Sequence, residues 1–316
     1  MTRNVRLLIC AVVVVLVSVM LASCASKGTK KADGGKKEFT LGVSLLTEEH
    51  PFYRELKDAL EKECKVRGIK PIILSCDFDL SRQTTQVENF ISQDVDAMIV
   101  CPANSAGIAG AVRKANKAGI PVFTADIAAQ GGKIASHIAS DNVAGGKLAG
   151  EYMAKALNGK GNVAIVNCPD VQSVQDRVKG FKEGISKCPD IKIVDDQSAE
   201  GKRDMAVTVT ENLLQKHAKL DGIFAINDSS ALGALTAIEQ ANRKSIVLIG
   251  YDGDPEARTK ILEGCSLKAD AVQYPREIGK ATVNAVADYL EGKKIPAFVP
   301  VKVGIIDQAS LKKETK

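Results

Sequence analysis

Short apolar runs alternate with amphipathic segments along most of the chain, from about residue 39 onward. Seven runs rich in β-branched and aliphatic residues lie at 41–46, 72–74, 97–100, 121–124, 163–166, 222–226 and 246–250. Between them apolar residues recur every three or four positions, as in Phe52, Leu56, Leu60 and Cys64. Apolar strands separated by amphipathic helices are typical of parallel sheets covered on both faces. The chain has about ten such strand–helix units, which is too many for one small sheet. An α/β barrel has about eight units, so it fits less well. The pattern therefore predicts an α/β fold with two similar doubly wound parallel-sheet lobes.

The first 38 residues follow a different pattern. Two arginines precede an uncharged apolar run over 7–22, and small residues then lead to Cys24. As a helix this run would span about 24 Å, short of the roughly 30 Å hydrocarbon core. We therefore predict a lipoprotein signal peptide over 1–23, a lipid on the Cys24 sulfur, and a flexible tether over 24–38. A simple signal peptide or an uncleaved anchor is the alternative, and either would also place the protein outside the cytoplasm.

The net charge bears on the class of partner. The chain carries +5 at pH 7, and the predicted signal and the lysine-rich tether together account for this excess. The folded body is therefore close to neutral, whereas a nucleic-acid reader shows a basic face or stripe. We expect no nucleic-acid partner. The tether lysines are either a solvated spacer or lie near anionic lipid headgroups.

Polar side chains follow the predicted strands, at the edge where doubly wound sheets bind ligands. They lie at 47–53, Asp77, 101–104, Asp126, 140–142, 167–168, 227–228 and 251–253. Carboxylates and amides hydrogen-bond to hydroxyl groups, and aromatic rings pack on the C–H face of a sugar. For each single residue a helix N-cap is the alternative role. Their clustering at strand ends indicates a hydroxyl-rich ligand.

The chain lacks the common catalytic and cofactor motifs. It contains no GxGxxG after a strand and no GxxxxGK[ST], HExxH or GxSxG. His50, His137 and His217 are far apart and lack the spacing of metal ligands. We predict no enzyme, no cofactor and no metal site. An exported carbohydrate-acting enzyme is the alternative, with Asp126 and Asp252 as its paired carboxylates.

Six cysteines remain after the signal peptide and the lipid site. They are Cys64, Cys76, Cys101, Cys168, Cys188 and Cys265. No CxxC occurs, and the spacings define no disulfide framework. The six cysteines are either buried free thiols or disulfide-bonded. We favour free thiols, because cysteine also serves as a small apolar residue.

Several segments resemble the periplasmic binding proteins of the ribose and related sugar type (type I). These segments are 42–45, 50–53, 136–142, 224–228, 231–235 and 250–253. The resemblance runs from about residue 39 to 308 and implies two α/β lobes joined by three crossing strands, which close over a ligand. The crossings are expected near 140–142, 273–274 and 302–304. The first lobe would then be 39–140 plus 274–302, and the second lobe 141–273 plus 303–316.

The resemblance also implies which residues contact the sugar. Phe52 and Tyr53 match the two aromatic positions that stack on the ring, and Asp126 matches the first-lobe carboxylate that binds hydroxyls. The other matching positions are Ser44, His50, Cys101, Ser140, Arg177, Asn227, Tyr251, Asp252 and Gln273.

This chain departs from the pattern of a ribose binder at several of these positions. Ile127 stands where an arginine is expected, and a lost charged hydrogen bond costs roughly 1.5–3 kcal/mol. His50 and Cys101 replace asparagines, Cys168 stands at an apolar position and Gly201 at an aromatic one. The departures favour a larger or less oxygen-rich sugar or polyol over ribose.

The resemblance implies a lipid-anchored, monomeric substrate-binding protein of an ABC transporter. Its partners would be a small carbohydrate, the permease with its ATPase subunits, and the membrane through Cys24. A receptor that signals to a membrane kinase or chemoreceptor is the alternative. A sugar-responsive DNA repressor shares the two-lobe core, but it needs an N-terminal helix-turn-helix where this chain has its predicted signal.

Overall fold

The computed structural model describes residues 39–314, so the predicted signal, tether and Cys24 lie outside the described residues. The strands are β1 (Phe39–Leu45), β2 (Ile69–Ser75), β3 (Ala97–Val100), β4 (Val122–Ala125), β5 (Ile134–Ser140), β6 (Lys160–Asn167), β7 (Asp190–Ser198), β8 (Gly222–Ala225), β9 (Val247–Asp252), β10 (Leu267–Val272), β11 (Phe298–Val301) and β12 (Gly304–Asp307). The helices are α1 (Pro51–Arg67), α2 (Leu80–Ser92), α3 (Ala109–Lys117), α4 (Asn142–Ala156), α5 (Gln172–Ile185), α6 (Arg203–Lys216), α7 (Asp228–Gln240), α8 (Pro255–Glu263), α9 (Pro275–Leu290) and α10 (Gln308–Glu314).

Two six-stranded sheets organise the described residues. The first has the order β11-β5-β4-β3-β1-β2 and the second the order β12-β10-β9-β8-β6-β7. All neighbouring strands are parallel except β10 and β12. The two orders are equivalent strand by strand, so that β4 in the first lobe corresponds to β9 in the second. The predicted α/β fold with two doubly wound lobes is confirmed.

The chain passes between the two sheets three times. It leaves the first sheet after Ser140 and enters the second lobe with α4. It returns after Val272 through α9, which packs on α1, and crosses again between β11 and β12. The carboxyl ends of the parallel strands of both sheets meet near these connections, which is where such sheets bind ligands.

Apolar side chains are buried on both faces of the central strands. All four residues of β3, β4 and β8 are buried, as expected for parallel strands covered by helices. Over residues 39–314, no helix has both the length and the apolar character needed to cross a membrane. The six cysteines in this range are free thiols, and Cys64, Cys76 and Cys101 are fully buried.

Helices α4 and α5 approach each other closely through glycines. A Cβ on Gly146 would lie 2.0 Å from the backbone carbonyl oxygen of Arg177, and a Cβ on Gly180 would lie 2.0 Å from that of Val143. Backbone atoms cannot move aside as a flexible side chain can. These glycines therefore fix the distance between the two helices and the position of Arg177 on α5.

We expect Gly146→Ala to lower the free energy of unfolding by about 2–3 kcal/mol, because the added methyl group forces the two backbones apart. Denaturant unfolding measures the change. Gly110→Ala on α3 is the matched control, since no atom lies within 4 Å of its added Cβ. The control should be neutral or slightly stabilising. Equal stability of the two variants would contradict the close-packing argument.

Candidate ligand-binding site

A cavity of about 60 Å³ lies between the two lobes. That is several times the roughly 10–15 Å³ needed to hold one water, so it can take a small molecule. Its first-lobe lining consists of Leu46, His50, Phe52, Tyr53, Phe78, Ala103, Asp126 and Ile127. Its second-lobe lining consists of Cys168, Val171, Ser173, Val174, Arg177, Glu200, Gly201, Ile226, Asn227, Asp252 and Gln273.

Aromatic rings at the start of α1 form one wall. Pro51 occupies the first turn of this helix, where its missing N–H and fixed φ are tolerated. Phe52 and Tyr53 follow, both nearly buried, with ring centroids 5.2 Å apart. The His50 ring lies edge-on to Phe78 at 5.4 Å. Burial, with a smaller contribution from Arg54, lowers the pKa of His50 to about 4, so this ring is uncharged at neutral pH.

Asp126 is the carboxylate of the first lobe, directly after β4. Its backbone adopts φ 63°, a left-handed conformation that residues other than glycine take at a cost. The Tyr53 hydroxyl donates to Oδ2 at 2.6 Å, whereas no described residue hydrogen-bonds to the buried Oδ1. Burial raises the pKa of Asp126, and Arg177 and the Tyr53 hydrogen bond oppose that rise. Oδ1 is therefore an acceptor available to a ligand.

Arg177 on α5 supplies the positive charge of the cavity. Its Nε donates to Asn142 Oδ1 at 2.9 Å and its Nη1 to the Ile226 carbonyl at 2.7 Å. The guanidinium lies 4.0 Å from the centroid of the Tyr251 ring, within cation–π range. It faces Asp252, with 3.5 Å between Nη1 and Oδ1. These contacts hold a buried guanidinium in one orientation, with its second terminal nitrogen unused by the hydrogen bonds just described.

Asp252 at the end of β9 is the second-lobe counterpart of Asp126, because β9 corresponds to β4. Its φ is 128°, so both carboxylates lie on strained backbone at equivalent strand ends. Gln273 Nε2 donates to Asp252 Oδ1 at 2.7 Å, while Gln273 Oε1 is buried without a partner among the described residues. Burial raises the pKa of Asp252 to about 6, although Arg177 and Gln273 act against it.

Two further carboxyl groups are buried behind Asp252. Asp228 and Asp270 are both fully buried, and a Cβ on Gly250 would lie 2.8 Å from Asp228 Oδ1 and 3.4 Å from Asp270 Oδ1. Asp228 Oδ1 and both Asp270 oxygens accept no hydrogen bond from any other described residue. Burial and the mutual contact raise the pKa of Asp228 well above its usual range, and burial raises that of Asp270 to about 7. We expect the two carboxyl groups to share a proton, which would satisfy this pair.

The lobes touch each other around the cavity. The Ser105 amide donates to the Asp170 carbonyl at 3.1 Å, and the Gln172 amide donates to Ser105 Oγ at 2.9 Å. On another side, Lys202 Nζ of the second lobe lies 5.4 Å from the Phe78 ring of the first. A ligand in the cavity would thus be enclosed by both lobes.

Eight of the predicted contact residues line the cavity. They are His50, Phe52, Tyr53, Asp126, Arg177, Asn227, Asp252 and Gln273. Asn227 also caps α7, since its Oδ1 accepts from the Ser230 amide, and its Nδ2 donates to the Gly201 carbonyl. Asn227 therefore both caps a helix and lines the cavity.

The other four predicted residues are not part of the cavity lining. The Ser44 hydroxyl donates to Gln86, and Cys101 is fully buried after β3 with its carbonyl accepting from Gln83. Tyr251 supports Arg177 and donates to Asn142 Oδ1 at 3.3 Å. Ser140 borders a separate cavity at the first crossing between the sheets. These contacts give Ser44, Cys101 and Tyr251 packing roles, and a ligand contact by any of the four stays a prediction.

Several lining residues were not predicted. Phe78 and Glu200 both have positive φ in turns that follow β2 and β7. The strand-end rule, by which polar residues that follow a predicted strand are candidate ligand contacts, would have found Glu200 if β7 had been predicted as a strand. It was not, because β7 is largely polar and half-exposed. Ser173, Val171 and Val174 lie at the start of α5, which carries no strand-end pattern.

Comparison with known proteins agrees with this geometry. Residues 41–294 match the family described as periplasmic binding protein domain. The ribose import binding protein RbsB of Bacillus subtilis (strain 168) is 39% identical over 93% of this chain and 97% of its own length. The Caulobacter myo-inositol binding protein, solved with myo-inositol, has a TM-score of 0.82 and 29% identity over 87% of this chain and 95% of that chain.

A second solved structure comes from a different kind of system. The fructose binding periplasmic domain of a hybrid two-component system has a TM-score of 0.83 and 27% identity, over 88% of this chain and 93% of that chain. The family match, the identity to curated relatives and the two-lobe fold all agree. The chain therefore belongs to the periplasmic binding protein family, as a ribose-binding-like type I sugar-binding protein.

Proposed function

We propose that this protein binds one monosaccharide or polyol between its two lobes and delivers it to an ABC permease. The main supporting observation is that Asp126 and Asp252, carboxylates at equivalent strand ends, line one cavity together with Arg177, and that Asp126 and Gln273 each carry a buried oxygen without a partner among the described residues. Carboxylates accept hydrogen bonds from neighbouring hydroxyls, and a guanidinium donates in a fork. The Phe52 and Tyr53 rings supply the apolar face that packs on C–H groups.

Closure follows from the division of the contacts. Both lobes contribute carboxylates, Asp126 from the first and Glu200 and Asp252 from the second, so a ligand makes its full set of hydrogen bonds only when the lobes are together. Its higher affinity for the closed form then shifts the population toward that form. The joint surface of the closed lobes is what a permease would recognise, and ATP hydrolysis belongs to the partner subunits.

The relatives and the amino-terminal pattern together support an extracytoplasmic site of action. Transport relatives such as the ribose import protein of Bacillus subtilis support the ABC transporter role. We propose attachment to the membrane through a lipid on Cys24 and a monomeric state. Mass spectrometry of the mature protein tests the lipid, since acylation adds a defined mass to the peptide that begins at Cys24.

A sensor is the second candidate function. It is favoured by the likeness to the fructose binding domain of a hybrid two-component system. Deletion of the gene separates the two roles: a transport protein is needed for uptake of labelled ligand, whereas a sensor is needed only for the transcriptional response.

A thermal-shift screen of the purified protein against pentoses, hexoses, polyols and inositols tests the proposed function. A ligand that binds only the native state raises the melting temperature by mass action, by an amount that grows with concentration above Kd. We expect a selective shift with one sugar or polyol, followed by calorimetric titration for the stoichiometry. A flat panel would contradict carbohydrate binding, and turnover of the bound sugar would favour an enzyme.

A further inference from the structure

We propose that the cavity selects a monosaccharide or polyol with one deoxygenated edge, a carbon bearing hydrogen or methyl in place of a hydroxyl. We assign this preference to Ile127 and Cys168, one from each lobe. The inference rests on the proposed function and narrows its substrate class.

Two residues of the cavity lining carry an acceptor that is buried without a partner among the described residues. Among the described residues, the buried oxygens that line the cavity without a partner are Asp126 Oδ1 and Gln273 Oε1. Gln273 is hydrogen-bonded to Asp252, which faces Arg177. Recognition of hydroxyl groups is therefore built around these four side chains.

The lining also includes the polar side chains of His50, Ser173, Glu200 and Asn227, but its apolar members offer a hydroxyl little. Leu46, Ile127, Val171 and Val174 line the cavity and belong to one buried apolar cluster, against which Phe78 and Cys168 pack. Ile127 is only 2% exposed and has no polar side-chain atom. Burial raises the pKa of the Cys168 thiol to about 11, so it is uncharged, and a thiol is a weak donor and a weak acceptor.

A ligand hydroxyl pressed against this wall would lose its water without a good replacement, whereas a methyl or methylene group would gain by burial. Discrimination of this kind by an apolar pocket typically reaches about 10- to 100-fold. The polar network and the apolar wall together therefore fit a ligand with hydroxyls on one edge and none on another.

Calorimetric titration of the purified protein with matched pairs tests the inference. The pairs are L-fucose with L-galactose and L-rhamnose with L-mannose, which differ only in one hydroxyl group. We expect at least one deoxy sugar to bind about 10- to 100-fold more tightly than its parent. Tighter or equal binding of the parent in every pair that binds would overturn the inference and leave the proposed function standing. No binding by any of these sugars, together with a flat thermal-shift panel, would overturn both.

Variants of the wall test the assignment to residues. Cys168→Ser introduces a hydroxyl at a partly exposed position, and Ile127→Thr does so while keeping the β-branch. Each should reduce the preference for the deoxy sugar by about tenfold. Ile127→Val controls for lost volume, and Cys188→Ser, partly buried but outside the cavity lining, controls for the thiol replacement. An unchanged ratio in both Cys168→Ser and Ile127→Thr would overturn the assignment to these residues.

Discussion

Asp126→Asn is expected to reduce ligand affinity by about 10- to 100-fold while leaving the unliganded protein at least as stable. Asp126 lines the cavity, and its Oδ1 is buried and accepts no hydrogen bond from a described residue. A charged hydrogen bond to a ligand hydroxyl is worth roughly 1.5–3 kcal/mol, and an amide restores only part of it. Asparagine can still accept from the Tyr53 hydroxyl, and it tolerates the positive φ of this position better than most residues.

The expected stability of the unliganded Asp126→Asn variant follows from the cost of burying a charge. Burial raises the pKa of Asp126, which means that the fold disfavours its ionised form. Removing that charge therefore costs the empty protein nothing, and Arg177 keeps Asp252 as its counter-ion. Calorimetric titration gives the affinity and thermal unfolding gives the stability.

Asp94→Asn is the matched control for this variant. Asp94 also has positive φ, at 52°, and also belongs to the first lobe, but it is exposed and does not line the cavity. The control should change neither quantity. If Asp126→Asn binds the ligand with unchanged affinity, Asp126 does not contact the ligand.

Asp270→Asn is expected to stabilise the protein at high pH but not at low pH. At pH 8 the variant should be more stable than the original protein by about 1–3 kcal/mol, and near pH 5 this advantage should vanish. The reason is that Asp228 and Asp270 share a buried space that two carboxylates cannot occupy together. An asparagine at 270 can donate an N–H to the Asp228 carboxylate and removes one of the two charges.

The direction with pH follows from the raised pKa values. In the unfolded chain an aspartate titrates near about 3.9, whereas Asp270 in the fold has a pKa of about 7 and that of Asp228 is raised well above its usual range. Between these values the folded protein binds more protons than the unfolded chain. The stabilising contribution is therefore complete at low pH and is lost as the pH rises through the folded pKa, by about 1.4 kcal/mol per pH unit per proton.

Other charged groups near Asp228 and Asp270 also raise the pKa of this pair. Asp252 and Asp254 both raise the pKa of Asp270 by repulsion, while the Asp254 amide donates to Asp228 Oδ2 at 2.7 Å.

Denaturant unfolding of Asp270→Asn and of the original protein at pH 5, 6, 7 and 8 gives the free energy of unfolding of each as a function of pH. Asp190→Asn, exposed at the start of β7, is the control and should follow the original protein. Parallel curves for Asp270→Asn and the original protein would contradict the shared proton.

The apolar pattern was sufficient to predict the fold class, because parallel strands covered on both faces must be apolar almost throughout. Runs such as 97–100, 163–166 and 222–226 became buried central strands. Edge strands are different: β7 is half-exposed, so its polar residues carry no strand pattern. For the same reason Glu200, which follows β7, escaped the strand-end rule.

The predicted contact residues show a similar division. Asp126 and Asp252 could be selected from the sequence because each follows an apolar strand, and ligands bind at that edge of a parallel sheet. Whether a side chain near a strand end faces the cavity depends on its packing partners. Ser44 turns to Gln86, and Tyr251 lies beneath Arg177, although both lie on strands that lead to the cavity.

By itself the sequence determined the α/β class, the resemblance to a sugar-binding family and the carboxylate, aromatic and guanidinium groups available for a ligand. Local periodicity encodes these features because they depend on residues that are near each other along the chain. Only the tertiary structure decided that Asp126 and Asp252 line one cavity from equivalent strands and that Asp228 lies near Asp270 beside Gly250. Those contacts depend on the order of strands within each sheet and on how the two lobes close, and a local pattern of residues specifies neither.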